Sequence, residues 1–322
     1  MMLQPIKLMP TYKDYIWGGK KLNEQYHKNS PYEITAESWE VSCHPNGNSV
    51  VASGEQAGKS LAQWIEDYKK QHIDVLGKNA QKFGQFPILI KLIDANDSLS
   101  IQVHPDDAYA AKNENGSYGK TEVWYIVDAE PNAKLVYGFA QDITKEEFRT
   151  AIAENSLSDK LNFVPVKKGD VFFVHAGLVH AIGSGILICE IQQNSDTTYR
   201  VYDWGRVGAD GTPRPLHIDK AIDVSELIAQ KNGDFSPALL SEDNGAAVYH
   251  VADCDYFKVK KYCVDANVSL NFNGQSFHTI NFLEGNGKIG NEVFQKGDTY
   301  FVPAPILDLI IEGKCEFLIT NV

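Results

Sequence analysis

The sequence is poor in cysteine, and the cysteines it has form no framework. Its five cysteines are odd in number and widely spaced, and none form a CxxC pair. Disulfide scaffolds and thiolate zinc sites need paired or closely spaced cysteines, so the pattern argues against both. We therefore expect a reduced, cytoplasmic protein.

Long apolar runs and an excess of basic residues are also missing. No apolar stretch approaches the roughly 18 residues of a membrane span, and the first twenty residues carry lysines in place of the apolar core of a secretory signal. The 30 basic and 42 acidic residues give a formal net charge of −12, which repels nucleic acid. We expect a soluble protein without membrane or nucleic-acid partners, whereas a small anionic substrate needs only a local basic pocket.

Short strands dominate the chain. Its 322 residues are enough for about two domains, and a hydrophobic content of 43% supports a sizeable core. Runs of β-branched and aromatic residues, punctuated by Gly, Asn, Asp and Pro, favour a sandwich or barrel over repeated βαβ units. The predicted strands are 86–93, 99–103, 122–127, 134–137, 170–174, 186–192 and 198–203.

Helical patterns are few and look inserted into the strand-rich sequence. Ser60 with Gln63, and Thr144 with Glu147, have the spacing of a capping box. Pro105 followed by two aspartates is typical of a first helical turn. These patterns predict a small helical insertion in a mainly β fold. The predicted helical segments are about 59–76, 105–115, 143–156 and 217–228.

One pattern occurs twice in the chain. Residues 168–176 and 296–304 both read K-G-D-x-[FY]-F-V-x-A, so a Gly-Asp turn delivers a short aromatic strand in each. The repeat predicts two β barrels, derived from a duplicated ancestor. The polar stretch 232–237 resembles a boundary, which predicts domains at 1–235 and 236–322.

Residues able to bind a metal occur at three places. Gln102 and His104 alternate with apolar residues on a predicted strand, so they share its polar face. Glu122 opens an otherwise apolar strand, and a buried carboxylate needs a partner. That partner is either Lys120, in an ordinary ion pair, or a metal. His180 follows two glycine turns in the spacing G-x5-H-x-G-x2-H.

Together these residues provide nitrogen and oxygen donors with one carboxylate. Gln102, His104, Glu122 and His180 form a set that suits zinc or another borderline divalent ion. The alternative for an isolated histidine is a position on a solvated or half-buried strand face. Because the chain offers no other such cluster, we favour the metal.

The spacing around His180 resembles the second sequence motif of the cupin superfamily, G-x5-P-x-G-x2-H, with His175 in the proline position. Cupins are small double-stranded β-helix, or jelly-roll, barrels that hold a metal with His and Glu ligands. In the first cupin motif, Gln102 takes the place of a histidine here, and residues 105–121 are inserted before the glutamate. In the second copy of the repeat, Asp308 stands where His180 stands in the first. The second cupin-like barrel is therefore expected to be metal-free.

A more specific resemblance covers residues 6–220. The segments concerned resemble the type I mannose-6-phosphate isomerases in their short bacterial form. They are 15–19, 36–45, 89–94, 98–106, 120–122, 179–182 and 192–200. The resemblance implies a zinc-dependent aldose–ketose isomerase that interconverts mannose 6-phosphate and fructose 6-phosphate. We expect a monomer or weak homo-oligomer with a small-molecule sugar phosphate as its partner.

The resemblance also assigns residues. It implies one zinc ion per chain, an active-site arginine at Arg200, and functional roles for Lys91, Lys120 and Asp196. The implied zinc ligands are Gln102, His104, Glu122 and His180. Thr121 and Thr197 replace a proline and an asparagine of the longer members. Neither change removes a charge, but the exact substrate preference is left open.

The isomerisation needs charge stabilisation and a proton shuttle. Zinc can stabilise an enediol intermediate as a Lewis acid, and Arg200 can stabilise the same negative charge. Asp196 is our first choice for the general base, with Lys120 as its acid partner. Glu37 and Glu190 are rivals for the base. Asp196 is alternatively a turn-capping residue.

The phosphate of the substrate requires cations in an acidic protein. Lys91, Lys120 and Arg200 are the predicted ones, and Arg200 is alternatively a surface residue in an ion pair. Two other functions are open at this stage. A metal-cupin oxygenase or epimerase fits the barrel but not the lysine, aspartate and arginine set. A non-catalytic sugar-phosphate-binding module would have lost the metal ligands, which are all present.

Overall fold

The structure is a computed structural model that describes residues 3–207, 211–243 and 245–322. Strands dominate it, which confirms the predicted mainly β class. No helix in these ranges is long and apolar enough to cross a membrane.

The secondary structure runs along the chain as follows. The helices are α1 (Lys21–Tyr26), α2 (Leu61–Lys70), α3 (Asp107–Asn113), α4 (Lys145–Ala153) and α5 (Ile218–Val224), with 3-10 turns at Lys78–Lys82 and Leu157–Lys160. The strands are β1 (Ile6–Met9), β2 (Thr11–Lys13), β3 (Glu37–Val41), β4 (Cys43–His44), β5 (Gly47–Asn48), β6 (Val50–Val51), β7 (Ile88–Ala95), β8 (Ile101–Val103), β9 (Glu122–Ala129), β10 (Lys134–Phe139), β11 (Leu161–Pro165), β12 (Val171–Val174), β13 (His180–Ala181), β14 (Ile186–Gln193), β15 (Tyr199–Tyr202), β16 (Leu239–Asp243), β17 (Ala246–Asp253), β18 (Lys258–Val264), β19 (Asn267–Asn271), β20 (His278–Ile289), β21 (Glu292–Gln295), β22 (Thr299–Val302), β23 (Asp308–Glu312) and β24 (Cys315–Asn321).

The four predicted helical segments contain α2, α3, α4 and α5, and the caps show why two of these begin where they do. Thr144 and Glu147 form both hydrogen bonds of the predicted capping box. Ser60 accepts from the backbone N of Gln63, but the Gln63 amide donates one turn onward to Asp67, at 2.8 Å. The second bond of the box predicted at α2, from the Ser60 backbone N to the Gln63 side-chain oxygen, is therefore not formed, and the Gln63 side chain is directed along the helix toward Asp67.

The chain forms two compact units, and neither is a single stretch of sequence. The first contains the described residues up to Lys13 together with Lys20–Leu92 and Pro237–Val322, and the second contains Asp14–Gly19 and Ile93–Ser236. The last break follows Ser236, beside the predicted boundary at 235/236. The division into domains at 1–235, which we expect to be the catalytic one, and 236–322, each with its own barrel, stays a prediction.

The first unit is built on a sheet in the order β16-β17-β18-β24-β20-β22-β1-β6. Its core is aromatic: the rings of Phe282 and Phe294 are stacked at 3.6 Å, and Phe317 meets Phe282 edge-on. Strand β22 comes from the second copy of the repeat. Its residues are all buried.

The second unit contains a sheet in the order β11-β10-β13-β8-β15 and the adjacent strands β12-β9-β14. One face of the five-stranded sheet is apolar. Ile101 and Val103 of β8 lie in this core with Phe139 and with Phe148 of α4. Alternation along β8 leaves Gln102 for the other face, which turns toward β9.

Candidate metal centre

Strand register places three of the predicted site residues side by side. His180 of β13 is the Cα partner of Gln102 in β8, and Gln102 is also the Cα partner of Arg200 in β15. Directly opposed residues project from the same face of an antiparallel pair. The side chains of Gln102, His180 and Arg200 therefore share the face opposite the apolar core.

Strand β9 brings the carboxylate to this face. Glu122 is the first residue of β9 and is paired with Gln192 of β14, while Trp124 is paired with Glu190. Alternation puts Glu122 and Trp124 on one face of β9. The rings of Trp124 and His180 meet edge-on at 5.3 Å, so this face contacts the face that carries His180.

His104, Glu122 and His180 form a compact, buried cluster. Their donor atoms all lie within 4.8 Å of one another, and each side chain is at most 1% exposed. Glu122 Oε2 is 3.7 Å from His104 Nε2, and Glu122 Oε1 is 3.5 Å from His180 Nε2. Two ligands of one tetrahedral zinc ion lie about 3.3 to 3.6 Å apart. The spacing thus fits donors that share an ion.

Both imidazole rings are held by the nitrogen that faces away from the cluster. His104 Nδ1 is 3.0 Å from the carbonyl oxygen of Thr197, and His180 Nδ1 is 2.8 Å from that of Leu178. A carbonyl only accepts, so Nδ1 carries the proton and a neutral ring has its lone pair on Nε2. Metal-binding histidines are typically oriented in this way.

The protonation state of His180 is also the one that metal binding requires. Burial lowers its pKa to about 3, which keeps the ring neutral at ordinary pH. Its Nε2 has no hydrogen-bond partner among the described residues. An orphaned buried nitrogen is costly, and a bound metal would explain it. The residues present therefore fit a divalent ion.

Lys120 lies against the same cluster, as the alternative interpretation of Glu122 predicted. Its Nζ is 2.7 Å from Glu122 Oε2 and 3.3 Å from His104 Nε2. Glu190 Oε1 lies 3.8 Å from the same ammonium group. The ion pair with Lys120 is therefore present, but it does not account for His180 Nε2.

Trp124 orients Glu190, a role that its sequence context did not indicate. Its indole Nε1 donates to Glu190 Oε2 at 3.1 Å, and both side chains are buried. Alternation along β9 puts Trp124 on the face of Glu122, but its pairing with Glu190 depends on strand register. Glu190, a rival for the general base, thus belongs to the cluster.

Arg200 is half-buried on β15, the edge strand of the five-stranded sheet. Its Nε donates to Ser100 Oγ at 3.3 Å and its Nη1 to the carbonyl oxygen of Pro215 at 3.0 Å. Burial lowers its pKa, and the nearby charge of Arg214 lowers it further. These two partners are a hydroxyl and a carbonyl, so they differ from the surface ion pair that was the alternative for Arg200.

Two further arginines lie nearby and were missed. Arg214 binds both carboxylate oxygens of Asp203 through Nε at 2.7 Å and Nη2 at 2.6 Å, and Arg206 Nη2 reaches the same carboxylate at 2.6 Å. Burial would raise the pKa of Asp203, but these hydrogen bonds keep it low. In the sequence, the R-x5-R-x7-R spacing from Arg200 to Arg214 could have indicated this group of arginines.

The other predicted residues are Asp196, Lys91 and Glu37. Asp196 is exposed on the loop between β14 and β15, beside Thr197, whose carbonyl orients His104. Lys91 and Glu37 belong to the first compact unit, where Lys91 Nζ lies 3.7 Å from Glu37 Oε2. They form a buried pair there.

A buried two-histidine, one-glutamate cluster in a mainly β fold is the kind of site found in metal-binding cupins. The comparisons identify the family. Residues 5–120 match the phosphomannose isomerase type I catalytic domain, and residues 247–322 match the mannose-6-phosphate isomerase cupin domain.

Similar proteins match along almost the whole chain. A probable mannose-6-phosphate isomerase of Bacillus subtilis, GmuF, is 40% identical over 99% of this chain and 100% of its own length. The mannose-6-phosphate isomerase of Streptococcus mutans is 38% identical over 99% of both chains. The crystal structure of a Bacillus subtilis mannose 6-phosphate isomerase superposes with a TM-score of 0.90 at 35% identity, covering 99% of this chain and 100% of that one.

The chain therefore belongs to the type I mannose-6-phosphate isomerase family. This confirms the resemblance seen in the sequence motifs and the expectation of an isomerase.

Proposed function

We propose that the chain is a zinc-dependent enzyme that interconverts D-mannose 6-phosphate and D-fructose 6-phosphate through an enediol intermediate. The observation that carries the proposal is the buried cluster of His104, Glu122 and His180, in which both Nε2 atoms face the carboxylate. Family membership supports the substrate, because the relatives with matching length are named for mannose 6-phosphate.

One zinc ion per chain would be held by His104, Glu122 and His180, with Gln102 as the fourth ligand. Its register opposite His180 supports that role for Gln102. Two imidazoles, a carboxylate and an amide oxygen are donors that zinc accepts. When bound, the ion supplies Lewis-acid stabilisation of the negative charge that develops on the substrate oxygens.

The chain's own residues supply the proton transfers. A base removes the weakly acidic proton next to the carbonyl and returns it to the neighbouring carbon. We propose Asp196 for this role, with Lys120 as the acid that donates to a substrate oxygen. Glu190 is the strongest rival, because it is buried 3.8 Å from the Lys120 ammonium. Glu37 is the third choice.

Arg200 and two lysines complete the proposed site. The Arg200 guanidinium stays protonated and stabilises the developing negative charge. Lys91, Lys120 and Arg200 are the proposed phosphate cations. For Arg200 the proximity of Arg206 and Arg214 is supporting, because together they make a positive region in an acidic protein.

The assignment of the activity to one part of the chain is also a proposal. Residues 1–235 would carry the activity, and 236–322 would form a metal-free, cupin-like barrel. In support, the described ranges contain one group of His, Cys, Asp or Glu able to hold a metal, and it lies in the second compact unit. We expect the protein to act as a monomer or weak homo-oligomer in the cytoplasm.

A coupled assay tests the proposed function. Mannose 6-phosphate is supplied, fructose 6-phosphate is read out, and the protein is assayed as isolated, after chelation and after zinc is restored. We expect activity that disappears with the chelator and returns with zinc. Folded, zinc-loaded protein that binds the sugar phosphate without turnover would contradict the proposal and favour the sugar-binding module.

A further inference from the structure

Two adjacent glutamines at the end of β14 have no part in the function proposed above. Gln192 and Gln193 are 0% and 4% exposed. Successive strand residues project to opposite faces, so the two amides reach different partners. Buried amide groups usually form hydrogen bonds, and the bonds that these two make lead to the metal cluster.

Gln193 clamps the segment that leads into Glu122. Its Oε1 accepts from the backbone N of Thr121 at 2.8 Å, and its own backbone N donates to the Thr121 carbonyl at 3.1 Å. Its Nε2 donates to Asp107 Oδ1 at 3.0 Å. The same Asp107 oxygen accepts from the backbone N of Gly119 at 2.8 Å. Residues 119–121 are thereby fixed from two directions.

The loop after β14 connects this clamp to His104. Gln192 Nε2 donates to the carbonyls of Gln193 at 2.7 Å and Ser195 at 2.6 Å, which turns the chain back. Ser195 Oγ donates to the carbonyl of Tyr118 at 2.9 Å. The loop then presents the Thr197 carbonyl that holds His104 Nδ1. One loop therefore contacts both the ring of His104 and the segment preceding Glu122.

We propose that Gln193 is a positioning residue of the metal centre. By fixing 119–121 against 193–197, it sets the relative positions of His104 and Glu122, and it also places Lys120. The inference rests on the proposed metal site. Groups that orient metal ligands typically change metal affinity by about 10- to 100-fold when they are lost.

The direct test is Gln193→Glu in the full chain. The substitution keeps the size and the acceptor, but it replaces the donor to Asp107 by a second carboxylate oxygen. We expect zinc affinity, measured by competition with a chromophoric chelator, to fall by about 10- to 100-fold. Gln141→Glu adds the same charge at an exposed position of the same unit, and it should leave zinc affinity unchanged.

A rescue variant separates positioning from general damage. Asp107→Asn in the Gln193→Glu background removes the like-charge contact while keeping an oxygen for Gly119, so we expect most of the zinc affinity to return. Ser195→Ala removes the bond from Ser195 Oγ to the Tyr118 carbonyl and the longer bond that this hydroxyl accepts from the Thr197 backbone N. It should lower zinc affinity in the same direction by a smaller factor. Circular dichroism of the chelated proteins verifies folding.

The outcomes are separable from those of the functional proposal. Wild-type zinc affinity in folded Gln193→Glu overturns the positioning role, whatever the activity of the parent. If Gln193→Glu does not fold, unchanged zinc affinity in Ser195→Ala overturns it instead. A parent protein that binds zinc without isomerising mannose 6-phosphate overturns the proposed function and leaves the positioning role standing.

Discussion

At the scale of single residues, hydrogen bonds at Nδ1 hold His104 and His180 in the orientation that is typical of metal-binding histidines. Each ring donates to a backbone carbonyl, which directs its basic Nε2 toward Glu122. The sequence analysis singled out both histidines, because alternation and motif spacing depend on neighbours along the chain. It did not predict the carbonyls, because Thr197 and Leu178 reach the rings only through folded loops.

Glu122→Gln tests the carboxylate. The substitution keeps the shape of the side chain and removes the charge that faces both imidazoles, so zinc affinity should fall by at least about 100-fold and isomerase activity should be lost. Metal content after dialysis gives the first value and the coupled assay the second. Glu226→Gln is a matched control, since Glu226 pairs with the half-exposed His175 in the same unit. Near-normal zinc content in Glu122→Gln would contradict the site.

The general base can be distinguished by comparing two carboxylates. Asp196→Asn should retain zinc and lose about 10²- to 10⁴-fold in turnover, as expected when a general base is removed. Glu190→Gln should retain zinc and most of its turnover, because Glu190 is held by Trp124. Exchange of the substrate C2 proton with deuterated solvent, followed by NMR, isolates the proton-transfer step. Loss of exchange in Glu190→Gln alone would make Glu190 the base.

At the scale of elements, local sequence rules predicted helix positions better than helix lengths or side-chain partners. The segment 217–228 contains only Ile218–Val224 as helix, and its N-cap residue His217 makes no capping bond. His217 Nδ1 instead accepts from the backbone N of Arg200 at 3.2 Å. A tertiary contact with β15 thus takes the group that would cap the helix, and no local pattern encodes it.

The capping box of α4 provides a test at this scale. Thr144→Ala removes the acceptor for the Glu147 backbone N and one partner of its carboxylate, so the free energy of unfolding should fall by about 1 kcal/mol. Thr150→Ala on the exposed side of the same helix is the control. Chemical denaturation of both variants measures the difference. Equal stabilities would show that the cap contributes nothing.

Strand β20 begins with a histidine whose partial burial makes stability depend on pH. His278 stacks on Phe272 at 4.0 Å, and burial lowers its pKa from 6.5 to about 4. Between these pH values only the unfolded chain takes up the proton, so stability falls as the pH falls from 6.5 toward 4.

His278→Phe should remove this contribution. Between pH 7 and 4, the chelated parent should lose more unfolding free energy than chelated His278→Phe, by about 3 kcal/mol at most. Denaturant titrations at a series of pH values give the comparison. If the unfolding free energies of the two proteins changed with pH in parallel, the lowered pKa of His278 would be contradicted.

At the scale of the whole molecule, each compact unit is assembled from segments that are distant along the chain. The mainly β class and the family follow from strand patterns and motifs spread along the chain. The pairing of Lys20–Leu92 with Pro237–Val322 in one compact unit depends on contacts between distant segments, such as Asn79 Nδ2 donating to the carbonyl oxygen of Val322 at 2.9 Å. Composition and periodicity do not report such contacts.

The most direct measurement is a zinc titration of the metal-free full chain, with the initial rate of mannose 6-phosphate isomerisation recorded at each addition. If His104, Glu122 and His180 hold one catalytic ion, the rate rises linearly and reaches a plateau at one zinc per chain. Full activity before zinc is added, or no activity after one equivalent is bound, would contradict the metal centre as the site of the reaction.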